Sequence, residues 1–217
     1  MKKILTKIID TKSVFIFDFD GVIINSMYIK GITFADIFNT EQKLKKKIIN
    51  YHLINGSQKR VDKIKYIFSK ILNYKININE KIINKKLNEF KKIYKKNSKD
   101  INLIDGVDYF IKCLFKNKSK IYIVSAAPKY EINYYLRKYR LHSCIKEIYD
   151  SKIDKLDAMK KILTNNNFQN EKCIYFGDSI SDWDLCNKVK VDFCAVLTNK
   201  KSKLNKKKSF IKIYDFL

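Results

Sequence analysis

Residues Val14 to Phe17 form an apolar run that stops at Asp18-Phe19-Asp20-Gly21. Branched and aromatic residues following one another without a polar face read as a strand buried on both sides. Asp18 and Asp20 stand two apart, so on an extended chain their side chains leave on the same side. The carboxyl end of a buried parallel strand is where open α/β sheets bind ligands. Two carboxylates held close are unfavourable unless a cation, a substrate or a shared proton compensates. A strand-end turn with two solvated acids is the plainer alternative, and the rest of the chain argues against it.

Beyond this point the pattern switches between two periods. The spacing predicts helices over 106–116, 129–140, 154–166 and 180–188, with strands over 120–125, 172–177 and 191–197. Such alternation implies a doubly wound parallel sheet, an α/β fold of Rossmann-like type. Between about 27 and 97 there is no proline and no strand-like alternation. Apolar residues there recur at helical spacing instead, as in Ile64, Ile67, Phe68, Ile71 and Leu72, then Ile82, Ile83, Leu87 and Phe90. The expected organisation is a Rossmann-like core of residues 1–24 and 104–217, with an α-helical cap over 25–103 inserted after the first strand. The insertion is sized for a four-helix bundle.

Four short motifs sit at the ends of these elements. They are Asp18-Phe19-Asp20-Gly21-Val22, a strand ending at Ser125, Lys155 opening an amphipathic helix, and Gly177-Asp178-Ser179-Ile180-Ser181-Asp182. Together and in this order they resemble the haloacid dehalogenase superfamily, over residues from about 13 to about 198. The helical insertion resembles the cap shared by phosphoglycolate-phosphatase-like and β-phosphoglucomutase-like members. The resemblance implies a Mg²⁺-dependent phosphatase working through an aspartyl-phosphate. Asp18 would be the nucleophile, and Asp20 would protonate the leaving oxygen and then deprotonate water. Dehalogenase members lack the second aspartate, so Asp20 argues for phosphate chemistry. Ser125 would bind a phosphoryl oxygen with the backbone N–H groups of Phe19 and Ala126; a strand-end cap is its plainer role.

Lys155 would offset the charge of Asp18 and the phosphate, and matches the family pattern better than Lys152. Asp178 and Asp182 would complete a cation site with Asp18 and the carbonyl of Asp20. An all-oxygen set of this kind suits Mg²⁺. Asp178 is the expected direct ligand, with Asp182 a ligand or its support. Asp184 reads as a solvated helix-start acid and Trp183 as a packing residue. The KPxP form of the lysine motif is absent, which speaks against phosphoglycolate as substrate.

Specificity is expected from the cap. The stretch Tyr51 to Lys63 is interrupted by Asn55-Gly56-Ser57. It resembles the specificity loop of cap-bearing relatives, with Gly56 and Arg60 as substrate-binding residues. Arg60 stands out because arginine otherwise occurs only at 137 and 140; a surface helix residue is the plainer role. A planar guanidinium suits anion recognition. Asn25, Lys30 and His52 are further candidates.

The net charge of +24 invites a nucleic-acid reading. The excess is nearly all lysine, however, and is spread over every segment rather than focused on one helix. A solvated lysine surface is therefore expected, with no specific nucleic acid as partner, although anionic substrates should be attracted. The lysine run from 199 to 208 is expected to be a mobile loop. No apolar run reaches the length of a membrane span, and Met1 to Lys7 lacks the apolar region of a secretory signal. The five cysteines form no CxxC pattern or Cys/His cluster. These features lead to the expectation of a cytoplasmic protein, and the resemblance implies an enzyme with a small phosphorylated substrate, a sugar phosphate. The alternatives are a phosphomutase using the same intermediate, or a catalytically inactive polyanion-binding protein.

Overall fold

The structure, a computed structural model, describes residues 3–74, 78–165, 169–198 and 202–217. The chain divides into two compact units, Met1–Asn25 with Leu103–Leu217, and Ser26–Asn102.

The first unit is built on a parallel sheet. Its strands are β1 (Val14–Phe17), β2 (Lys120–Val124), β3 (Glu147–Tyr149), β4 (Cys173–Gly177), β5 (Asp192–Val196) and β6 (Ile211–Ile213). Their order is β3-β2-β1-β4-β5-β6, with every neighbouring pair parallel. The first strand is thus central, and the chain winds outward from it first on one side and then on the other. The crevice beside β1, where the direction of winding reverses, is the ligand position of such sheets.

Alternation along β1 decides what each face holds. Val14 and Ile16 pack against Ala158, Met159 and Ile162 of one helix (Lys155–Asn165) and Leu185 and Cys186 of another (Ile180–Val189). Phe15 and Phe17 face the other way. Their rings meet Phe110 edge-on at 6.2 and 6.3 Å, and Phe17 stacks on Phe176 at 4.8 Å. Phe110 belongs to a helix over Val107–Lys116. Phe216, fully buried near the C-terminus, completes this aromatic layer.

In chain order the helices are α1 (Lys3–Thr11), α2 (Met27–Asp36), α3 (Gln42–Ile54), α4 (Arg60–Tyr66), α5 (Glu80–Asn97), α6 (Val107–Lys116), α7 (Lys129–Lys138), α8 (Lys155–Asn165) and α9 (Ile180–Val189). Helix α6 begins at Gly106, whose φ of +77° suits glycine; a Cβ there would also come within 2.7 Å of the Phe216 carbonyl carbon. The second unit contains α2 to α5, with one π-helical turn over Ile67–Ile71. Its centre is Phe34, Ile48, Ile64, Ile67 and Phe90.

The strands at the core match the expected positions to within one or two residues at their ends. Helix α1 and strands β3 and β6 are additional. Each is short or weakly anchored: β3 and β6 have three residues each, and α1 buries only Leu5 and Ile8. Of the lysine run read as a loop, residues 199–201 lie outside the described residues, as does residue 166 of the helix expected over 154–166. The later part contains a short 3₁₀ turn, Lys203–Lys206, whose first N–H groups include Leu204 donating to Ser202 Oγ at 3.3 Å. Among the described residues no helix is long and apolar enough to cross a membrane.

Candidate active site

Three segments deliver charged side chains to the carboxyl end of the sheet. The β1 ladder extends one residue past the strand, with the Asp18 N–H donating to Phe176 C=O at 2.9 Å. By alternation Asp18 shares the face of Ile16, the side covered by α8 and α9. Beyond it the chain turns sharply at Gly21, where φ is +78°. Helix α8 opens with Asp154 accepting the Leu156 N–H at 2.8 Å, which sets Lys155 at the first turn. Helix α9 opens with a capping box: Ser179 Oγ accepts the Asp182 N–H at 3.3 Å, and Asp182 Oδ2 accepts the Ser179 N–H at 3.3 Å.

These constraints bring Lys155 between two acids. Its Nζ donates to Asp18 Oδ2 at 2.8 Å and to Asp182 Oδ1 at 2.7 Å. Lys152, the other candidate, is exposed. The Phe19 N–H donates to Asp18 Oδ1 at 2.6 Å, so both oxygens of Asp18 are engaged. Asp182 is completely buried, and Ser179 Oγ also donates to its Oδ2 at 2.5 Å. Its close approach depends on Gly177, where an added Cβ would lie 2.7 Å from the Asp182 Cβ. Ser179→Ala should lower stability by about 1 kcal/mol through loss of the cap, read as a shift in the urea-unfolding midpoint.

Asp18, Asp178 and Asp182 each offer a carboxylate oxygen, and these atoms all lie within 4.8 Å of one another. Three buried carboxylates face one ammonium, leaving the cluster negative. Burial pushes Asp18 up to about 6, against the pull of Lys155 and with the charge of Asp182 adding to the rise. Burial, together with the charges of Asp18 and Asp182, also holds Asp178 well above the usual carboxylate range. Burial alone would lower Lys155, but Asp18 and Asp182 raise it above its ordinary value. Among the described residues the Asp178 carboxylate accepts no hydrogen bond, whereas both Asp182 oxygens are occupied. An all-oxygen, electron-rich set with one uncommitted carboxylate fits a hard divalent cation.

The other candidates lie outside the three-carboxylate cluster. Asp20 is half-buried two residues beyond Asp18 and lies outside that set of ligand atoms. Ser125, one residue past β2, is buried, and its Oγ accepts the Ala127 N–H at 3.1 Å, the capping role of a strand-end serine. Ala126 is half-buried beside it. Asp184 is exposed, and Trp183 packs on Phe210 at 5.8 Å. Gly56 and Arg60 belong to the second unit. There the Gly56 carbonyl accepts from Lys63 Nζ at 2.6 Å, and the Arg60 guanidinium lies 4.4 Å from the Phe90 ring centroid. His52 in the same unit is buried, with Lys63 Nζ 3.1 Å from its Nδ1. Burial and the nearby Lys63, Lys30 and Arg60 hold its pKa well below the ordinary value.

Tyr175 was not expected. It is fully buried in β4, yet its hydroxyl reaches Lys155, Asp182 and Val124. The sequence signal for it is a single hydroxyl within the otherwise apolar run Cys173 to Phe176.

Fold and site together define a doubly wound α/β protein with an acid–lysine centre at the ends of its central strands. Residues 15–196 match the haloacid dehalogenase-like hydrolase family, and the chain belongs to it. Solved structures with the same fold include a β-phosphoglucomutase from Clostridium difficile (18% identity, TM-score 0.72, 94% of this chain and 92% of that one). Another, from Haemophilus somnus, is described as a predicted phosphoglycolate phosphatase (13% identity, TM-score 0.77, 95% of each chain). A third is CbbY from Rhodobacter sphaeroides in complex with phosphate (10% identity, TM-score 0.75, 94% of this chain and 95% of that one). Comparison with curated protein sequences gave no match.

Proposed function

We propose that this hydrolase is a Mg²⁺-dependent phosphatase acting on a small phosphorylated metabolite, a sugar phosphate, through a phosphoaspartate at Asp18. The observation that carries this reading is the Lys155 ammonium held between Asp18 and Asp182, 2.8 and 2.7 Å away, beside the Asp178 carboxylate, which accepts no hydrogen bond among the described residues. Phosphoryl transfer asks mainly for a positioned nucleophile and for charge neutralisation around the phosphoryl oxygens. An Asp18 oxygen attacks phosphorus as the bond to the leaving oxygen breaks, and Asp20 gives that oxygen its proton. Water then attacks the phosphoaspartate and loses a proton to Asp20. Phosphate departs and the Asp18 carboxylate is restored.

Lys155 offsets the charge that accumulates beside Asp18. Ser125, with the N–H groups of Phe19 and Ala126, holds phosphoryl oxygens. Asp18, Asp178 and the Asp20 carbonyl hold Mg²⁺, with Asp182 in the same group of oxygens but already bound to Lys155 and Ser179. Bound Mg²⁺ supplies charge neutralisation at the phosphoryl oxygens. Residues 25–103 serve as the cap, where Gly56 and Arg60 contribute to substrate choice. A β-phosphoglucomutase among the structures of like fold makes return of the phosphoryl group to a sugar the second reading.

The test is release of inorganic phosphate from a panel of sugar phosphates and phosphoglycolate, with Mg²⁺ and with EDTA. Release is expected with Mg²⁺ alone, and faster from a sugar phosphate than from phosphoglycolate. An isomerised sugar phosphate without phosphate release identifies the phosphomutase. Failure to turn over any ester, with no Mg²⁺ bound, removes the catalytic reading.

A further inference from the structure

Tyr175 occupies a position where a strand would ordinarily place an aliphatic side chain. It pairs in register with Ile16, two residues before Asp18 on the neighbouring strand, and shares the buried face toward α8 and α9. Its ring is fully buried and stacks on Phe193 at 6.5 Å. Packing alone explains the ring but not the hydroxyl. That hydroxyl lies 3.3 Å from Lys155 Nζ, 3.3 Å from Asp182 Oδ1 and 3.2 Å from the Val124 carbonyl oxygen. Val124 directly precedes Ser125 at the end of β2. One oxygen therefore meets groups from β2, α8 and α9, the three elements that converge on Asp18.

A neutral tyrosine hydroxyl has one hydrogen to give and lone pairs to receive. Lys155 has only donors, so toward Lys155 the hydroxyl accepts. Its own hydrogen goes to Asp182 or to the Val124 carbonyl. The three N–H bonds of Lys155 then have three acceptors: Asp18, Asp182 and Tyr175. An ammonium so held cannot swing toward Asp182 alone. We infer that Tyr175 is a positioning residue whose hydroxyl fixes the Lys155 ammonium on Asp18. This rests on the reading of Asp18 and Lys155 as the phosphoryl-transfer pair, but the hydrogen bonding can be tested without it.

Tyr175→Phe keeps the ring and removes only the hydroxyl. If the residue serves packing alone, this variant behaves as the wild type. The positioning role predicts a kcat lower by about tenfold, with KM changed less than about twofold. A second readout needs no turnover: the ¹⁵N-detected Lys155 ammonium signal, assigned with Lys155→Met. In the wild type its protons should exchange slowly with water. In Tyr175→Phe exchange should accelerate by about tenfold or the signal should vanish. Unchanged exchange in a folded Tyr175→Phe protein overturns the inference, as does unchanged kcat. If the wild type turns over no phosphate ester but exchange still accelerates in the variant, the proposed function falls while the positioning of Lys155 stands.

Discussion

Asp18→Asn is expected to reduce phosphate release by about 10⁴-fold or more while leaving the fold in place. Asparagine has the shape of aspartate, and its one amide oxygen can keep one of the two contacts that Asp18 makes through separate oxygens, with Lys155 Nζ at 2.8 Å or with the Phe19 N–H at 2.6 Å. What it lacks is the negative charge and nucleophilicity that attack on phosphorus requires. Lys155 also keeps its second carboxylate, Asp182, so its charge is not stranded. The variant should show the wild-type circular dichroism spectrum. Acid-quenched wild-type enzyme should carry one added phosphoryl group by intact-protein mass, and the variant none. Activity within about tenfold of wild type would mean that water attacks the ester directly and Asp18 only binds.

Part of this centre is legible in the sequence because strand parity is simple geometry. Asp18 faces α8 and α9 because Ile16 does, whereas Lys155 and Asp178 are picked out by the resemblance of their segments to the family's later motifs. The choice of Lys155 over Lys152 rests on the family pattern; in the structure Lys155 follows Asp154, which accepts the Leu156 N–H, and Lys152 is exposed. Tyr175 escaped because tyrosine in a buried strand ordinarily reads as packing. Only the distances from its hydroxyl distinguish a polar role. Strands β3 and β6 escaped for a different reason. Three residues carry too little alternation to separate a strand from a loop, and their pairing is decided by neighbours far along the chain. The helical period of residues 27–97 was visible, but the π turn at Ile67–Ile71 was not, since one extra residue in a turn leaves the apolar spacing almost unchanged.

The negative cluster should also leave a signature in the stability of the metal-free protein. Asp18 is raised from 3.8 to about 6, chiefly by burial. Between those values the native chain holds a proton that the unfolded chain has released. Stability therefore falls as pH rises through this window, by about 3 kcal/mol once the titration is complete. Asp178 is raised by burial and by the charges of Asp18 and Asp182, so it acts in the same direction. The lysine-rich surface works the opposite way, because acidification adds positive charge to a chain already at +24 and increases its self-repulsion. The informative quantity is thus the difference between wild type and Asp178→Asn, which share that surface. Urea unfolding in EDTA should find Asp178→Asn more stable than wild type at neutral pH and no more stable near the acid end of the window. Adding Mg²⁺ at neutral pH should stabilise the wild type and leave Asp178→Asn largely unmoved, since the ion replaces the missing positive charge only where the carboxylate is present. A difference that stays flat with pH, with equal responses to Mg²⁺, would mean that Asp178 is solvated in the folded protein and is not part of a cation site.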